Sequence, residues 1–138
     1  MVMSRHVFDH VVQTSQEWLV SIAREFDTDD LDFVERALRA WMHGLRDELP
    51  IESCAHFAAQ LPELLRGVYY EGWNPTHAPV DHDVDAYVRR FAREARIRPT
   101  EVGQVASTIT EALHGRTPEM QLAALLMQLP SPAPMSPC

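Results

Sequence analysis

The chain has 138 residues, 46% of them hydrophobic, and a formal net charge of −8. That length and apolar fraction suit one compact domain with its own core and exclude wholesale disorder. All twelve basic residues are arginine, and so acidic a surface repels phosphate backbones, which excludes general nucleic-acid binding.

The opening MVMSRHVFDHVVQ lacks the uninterrupted apolar region of a signal peptide. No apolar run reaches the ~20 residues that span a bilayer, so no membrane partner is expected. Two cysteines, Cys54 and Cys138, make no disulfide framework, and a reduced, cytoplasmic protein follows.

In chain order, Phe8, Val11, Trp18, Ile22 and Phe26 form a helical stripe interrupted by Ser15. Leu31, Val34, Leu38, Trp41, Leu45 and Leu49 alternate spacings of three and four, predicting a second helix capped by Asp29 or Asp30. A third opens with Pro50 in its first turn and places Ile51, Cys54, Ala55, Ala58 and Leu61 on one face. After Pro62, which can begin a short extra helix, LPELLRGVYYEGWNP crowds Tyr69, Tyr70 and Trp73 among Gly67, Gly72 and Pro75. These glycines and the proline predict a helix end and an aromatic junction. Val84, Tyr87, Val88, Phe91 and Ala95 mark a fourth main helix, Val102, Val105, Ile109 and Leu113 a fifth, and Leu122, Leu125, Leu126 and Leu129 a sixth. No stretch alternates as a strand does.

An internal repeat organises these helices. Residues 23–62 align with 92–130 after one deletion: Ala23-Arg24-Glu25 falls on Ala92-Arg93-Glu94, Trp41 on Ile109, Leu45 on Leu113, Pro50 on Pro118, and Gln60-Leu61-Pro62 on Gln128-Leu129-Pro130. The expected fold is all-α, with six main helices as two tandem three-helix repeats packed as one bundle with pseudo-twofold symmetry. Repeat one covers about 7–66, an aromatic linker 67–83 and repeat two about 84–130, within a domain of 1–130. The proline-rich residues 131–138 are expected to be a disordered tail.

Candidate chemistry is thin, and no motif names a reaction, a catalytic residue or a cofactor. In NPTHAPVDHDVD, His77, His82 and Asp83 are candidate metal ligands, whereas the alternating aspartates fail as a calcium loop because Ala86 and Ala92 occupy the required glycine and carboxylate positions. Asp81 or Asp83 doubles as the cap of the following helix. Cys54 and His56, two apart on a helix, point in different directions and make no nucleophile–base pair, although His43 could reach Cys54 from the neighbouring helix. His56 is expected to bond to the junction, at a tyrosine hydroxyl. Trp41, His56, Arg66, Tyr69, Tyr70 and Trp73 are the candidate walls and polar contacts of a ligand pocket between the repeats. EMQLAALLMQLP (119–130) is apolar nearly all round, so Met120, Leu126 and Met127 are the expected face of a homo-oligomer.

The stretches FDHVVQTSQEWL and HFAAQLPELLRGVYYEGW, with the repeated QLP, resemble the family called domain of unknown function 2267. The resemblance covers about residues 7–130. It implies an all-helical bacterial cytosolic protein found near stress-response genes, with no established catalytic residues to carry over; the family pattern would continue past Pro130 as another amphipathic segment. The combined expectation is a non-enzymatic, self-associating interaction or stress-associated accessory protein. Its alternative is a small-ligand module with an aromatic pocket.

Overall fold

The three-and-four spacing of apolar residues builds helices throughout, and the computed structural model describes residues 2–74 and 83–114, with side chains from Phe8 onward. They form α1 (Val2–Phe26), α2 (Leu31–Glu48), α3 (Ile51–Ala58), α4 (Glu63–Tyr70), α5 (Val84–Ala95) and α6 (Val102–Leu113), the last preceded by a tight 3-10 turn at Pro99–Glu101. The architecture is all-α, with no strand among the described residues. The sixth apolar segment at 119–130 and the tail lie outside those residues.

Local chemistry sets the boundaries. The Asp30 carboxylate accepts from the Phe33 amide at 3.1 Å and starts α2, and Asp83 accepts from the amides of Asp85 and Ala86 and starts α5. Pro50 and Pro62 stand just before α3 and α4 with extended ψ of 155° and 152°, one position earlier than the first turn expected for Pro50. The helix after Pro62 runs through Gly67 to Tyr70, so Tyr69 and Tyr70 are helical residues rather than loop. Gly67 costs that helix about 1 kcal/mol, which the burial of Leu65 and Tyr69 outweighs. The break comes at Gly72, with φ of 76°. The face of α3 also differs from expectation: Ile51 and Ala55 are exposed, and Cys54, Phe57 and Ala58 point inward. With only two turns, the helix turns its largest ring to the core.

Matched positions of the repeat behave alike. α1 and α5 each end on a residue in the left-handed region, Asp27 at φ 57° and Arg96 at φ 60°. Each is closed by the same bond, Thr28 N–H to Ala23 O and Ile97 N–H to Ala92 O, both 3.0 Å. Val34, Ala37, Leu38, Trp41 and Leu45 are buried along α2, and their counterparts Val102, Val105, Ala106, Ile109 and Leu113 are buried along α6. The halves pack crosswise: α2 lies chiefly against α5, and α1 chiefly against α6. The Trp41 indole N–H donates to Thr110 Oγ1 across this seam at 3.2 Å.

A left-handed arginine is strained by its Cβ, at a cost of about 1 kcal/mol that glycine avoids. Arg96→Gly is therefore expected to raise the thermal midpoint by a few degrees, measured by circular dichroism. A fall in the midpoint would contradict this helix ending.

Candidate functional site

The junction aromatics belong to a continuous file of rings. Trp41 on α2 meets Phe57 on α3 with centroids 6.0 Å apart, Phe57 meets Tyr69 on α4 at 5.6 Å, Tyr69 meets Tyr70 at 5.2 Å, and Tyr70 meets Trp73 at 5.1 Å. The tilted and edge-on geometries are those that aromatic quadrupoles favour. Trp41, Phe57 and Tyr69 are sealed in the core, while Tyr70 and Trp73 carry the file outward to a partly exposed end. Phe57, its second ring, is not among the candidate residues.

At the inner end the Tyr69 hydroxyl lies 3.0 Å from the Cys54 carbonyl oxygen and 3.2 Å from its Sγ. Burial pushes the Tyr69 phenol well above its ordinary range, and burial likewise raises the Cys54 thiol. Both groups hold their protons, so Cys54 acts here as a packing group and acceptor rather than as a thiolate nucleophile. His56 is exposed on α3 and does not take the tyrosine hydroxyl, which Cys54 occupies. Arg66 faces back toward α3: its Nε donates to Ala58 O at 3.0 Å and its Nη2 to Leu61 O at 3.1 Å, closing orphan carbonyls past that helix.

The carboxyl end of α4 is held by α2. His43 Nε2 lies 2.6 Å from Val68 O, and because a carbonyl only accepts, this nitrogen donates. Arg46 Nη1 donates to Tyr69 O at 3.1 Å and Glu71 O at 2.5 Å, while its Nε and Nη2 reach the two oxygens of Asp47. Three carbonyls at the α4 terminus, those of Val68, Tyr69 and Glu71, thus meet side-chain N–H donors, the polarity its dipole favours. Arg39 adds a rim contact to Glu71 and Glu35.

The other ring nitrogen of His43 faces Glu94 Oε2 on α5 at 2.6 Å. With both nitrogens engaged, His43 has no free lone pair to serve as a base toward Cys54 or any substrate. Nearby, Arg90 Nη2 contacts Glu48 Oε2 at 3.1 Å. His43, Arg46, Asp47, Arg90 and Glu94, with Ala40, Gly44, Tyr87 and Phe91, line a crevice of about 80 Å³ between α2 and α5. Gly44 allows the close approach, since a Cβ there would stand 2.9 Å from the Tyr87 ring. Of this group only His43 was weighed from the sequence. The rest carry no pattern signal, because each pair joins helices about fifty residues apart.

Of the metal candidates, Asp83 caps α5, and His77 and His82 lie outside the described residues. Among the described residues no group of three or more histidine, cysteine, aspartate or glutamate side chains is arranged to hold a metal ion. Met120, Leu126 and Met127 also lie outside them. No helix among the described residues is long and apolar enough to cross a membrane.

Three outcomes are expected. Arg46→Met orphans two carbonyls and the Asp47 carboxylate, and should lower stability by about 3 kcal/mol in urea unfolding; Arg46→Lys should not restore it, because an ammonium lacks the fork. In a Cys138→Ser protein, Ellman's reagent should label Cys54 no faster than the fold opens, and rapid native labelling would contradict its sealing. Burial, with the Glu48 charge adding to it, pushes the Tyr87 phenol up to about 12, and Tyr69 is raised too. The folded pKa values exceed the unfolded ~10, so this stability is complete below pH ~10 and is lost as pH rises toward ~12. Urea midpoints should fall over that interval together with the rise in phenolate absorbance.

No curated protein matches the chain. A family model described as uncharacterized conserved protein, DUF2267, matches residues 15–134. That span takes in the ring file, the clamp on α4 and the crevice alike, and the chain belongs to the DUF2267 family.

Proposed function

We propose that this protein is a non-enzymatic helical interaction module that self-associates through apolar helical surface. The observation that carries this reading is Phe8, 67% exposed on α1. At helical spacing Phe8, Val11 and Val12 continue the same stripe that buries Ser15, Trp18 and Ile22 further along the helix. The stripe therefore runs past the described bundle with nothing described to cover it, and Val12 is exposed as well. A second copy supplies the missing apolar surface, with Met120, Leu126 and Met127 joining the same interface. A cytoplasmic, stress-associated accessory role in a bacterium fits such a module. The non-enzymatic part of the reading is supported by the engaged nitrogens of His43 and the protonated, sealed thiol of Cys54.

Light scattering coupled to gel filtration tests it. The native chain should run as an oligomer, and Phe8→Glu with Val12→Glu should shift it to monomer while the helical spectrum is kept. A native monomer across micromolar concentrations sinks the reading.

A second reading, a small-ligand module at the outer end of the ring file, is favoured by one observation. The Trp73 indole nitrogen is shielded from solvent and has no acceptor among the described residues, an unusual state for a buried N–H. A bound carbonyl or carboxylate beside Tyr70 and Trp73 would satisfy it. Tryptophan fluorescence during a metabolite screen checks this, and Trp73→Phe should abolish any quenching seen.

A further inference from the structure

Arg96 holds a left-handed backbone, φ 60°, at the end of α5, and Asp27 does so at the end of α1, φ 57°. Glycine would hold the arginine position with less strain. Both residues are exposed, and neither side-chain charge has a partner among the described residues. They stand at matched positions of the repeat, on turns closed by the same 3.0 Å bond, and carry opposite charge. Packing within one copy explains neither charge.

The inversion extends beyond this pair. Five of the chain's twelve arginines fall within residues 89–98, beside a single acid, Glu94. Arg90 is matched by Glu48, Arg98 by Glu101, and Glu94 by His43. Arg89, Arg93 and Arg96 follow one another at helical spacing along α5, exposed and without a carboxylate among the described residues. The turn between α1 and α2 is the reverse. Asp27, Asp29 and Asp32 are exposed there without a cation among the described residues, while Asp30 is engaged in capping α2. Asp27 and Asp29 line an open depression whose one base is Arg24, and Leu31, 41% exposed, adds apolar surface to the same turn. Residues 75–82 and 115–138 hold two side-chain acids, Asp81 and Glu119, against one further arginine, Arg116. That balance is too small to cover three guanidinium groups, so the missing carboxylates come from another molecule.

We infer that the α5 face of Arg89, Arg93 and Arg96 docks on the acidic α1–α2 turn of a second copy of this chain. Charge complementarity selects that occupant, and the shared helix ending gives the two surfaces a common backbone frame. The contact joins unlike surfaces, so it is head-to-tail, extending into a chain of copies or closing into a ring. It uses none of the apolar residues of the proposed self-association face and does not depend on them. Exposed ion pairs are individually weak, which makes the contact reversible and sensitive to salt.

Sedimentation velocity at about 0.5 mM protein in ~0.1 M and ~1 M NaCl reads the contact, since the screening length falls from about 10 Å to about 3 Å. The ionic contact should weaken by roughly tenfold or more at the higher salt. An apolar contact persists there, so the mass at high salt reports the apolar face alone. Arg89→Glu with Arg93→Glu should remove the salt-sensitive association, and so should Asp27→Arg with Asp29→Arg, each keeping the native helical spectrum. An equimolar mixture of the two variants should restore it, because each then presents the surface that the other lacks. Native association independent of salt, or a mixture that stays apart, overturns the proposal. A polyglutamate peptide that shifts the α5 amides while the native chain stays single at both salts assigns the face to an acidic partner of another kind, and overturns the second copy.

Discussion

The grip of α2 on the carboxyl end of α4 is the constraint on which the rest of the molecule depends. A helix of eight residues has little stability of its own, because nucleation costs more than two turns return. α4 persists because His43 and Arg46 donate to its terminal carbonyls and because Leu65 and Tyr69 are buried beneath it. Once α4 is fixed, Tyr69 is fixed, and its hydroxyl in turn ties α3 at Cys54. The ring file from Trp41 to Trp73 is then less a wall around a space than a continuous strut. Arg46 is 6% exposed and so sits where a charge is tolerated only when its donors are used.

The same helix α2 faces the second half of the chain. Its residues Ala40, His43, Gly44 and Asp47 meet Tyr87, Arg90, Phe91 and Glu94 of α5, and Trp41 reaches Thr110 of α6. One helix therefore carries both the apolar seam between the halves and the polar crevice beside it. His43 belongs to both systems, bonded to α4 through one nitrogen and to α5 through the other. The crevice and the junction therefore share a single imidazole.

Much of the fold could be read from the sequence, because helical periodicity is a local property. The stripes of α2, α5 and α6, the aspartate caps at 30 and 83 and the short helix after Pro62 all follow from spacing and end chemistry. The failures have a common cause in tertiary packing. Gly67 read as a helix end, yet burial of Tyr69 carries α4 past it. Ala55 read as core, but Phe57, an aromatic ring two positions further on, took the inward place. The aromatic candidates were legible as a concentration of rings, but whether rings surround a space or fill it is decided by the approach of other helices. The crevice was illegible for the same reason, since His43 gives no sign in sequence of Glu94 fifty-one positions away.

All twelve basic residues are arginine, and three of those guanidinium groups close the carbonyl ends of helices: Arg36 at Ala95 of α5, Arg66 at Ala58 of α3 and Arg46 past α4. Arg89 and Arg93, exposed on α5, close no helix end among the described residues. In a lineage drifting toward AT-rich codons, lysine is open to the second pair and closed at Arg46 and Arg66, where one ammonium cannot reproduce a planar, multiply donating fork. Mutational drift would thus erase the compositional bias unevenly, leaving arginine as a fossil at the helix ends.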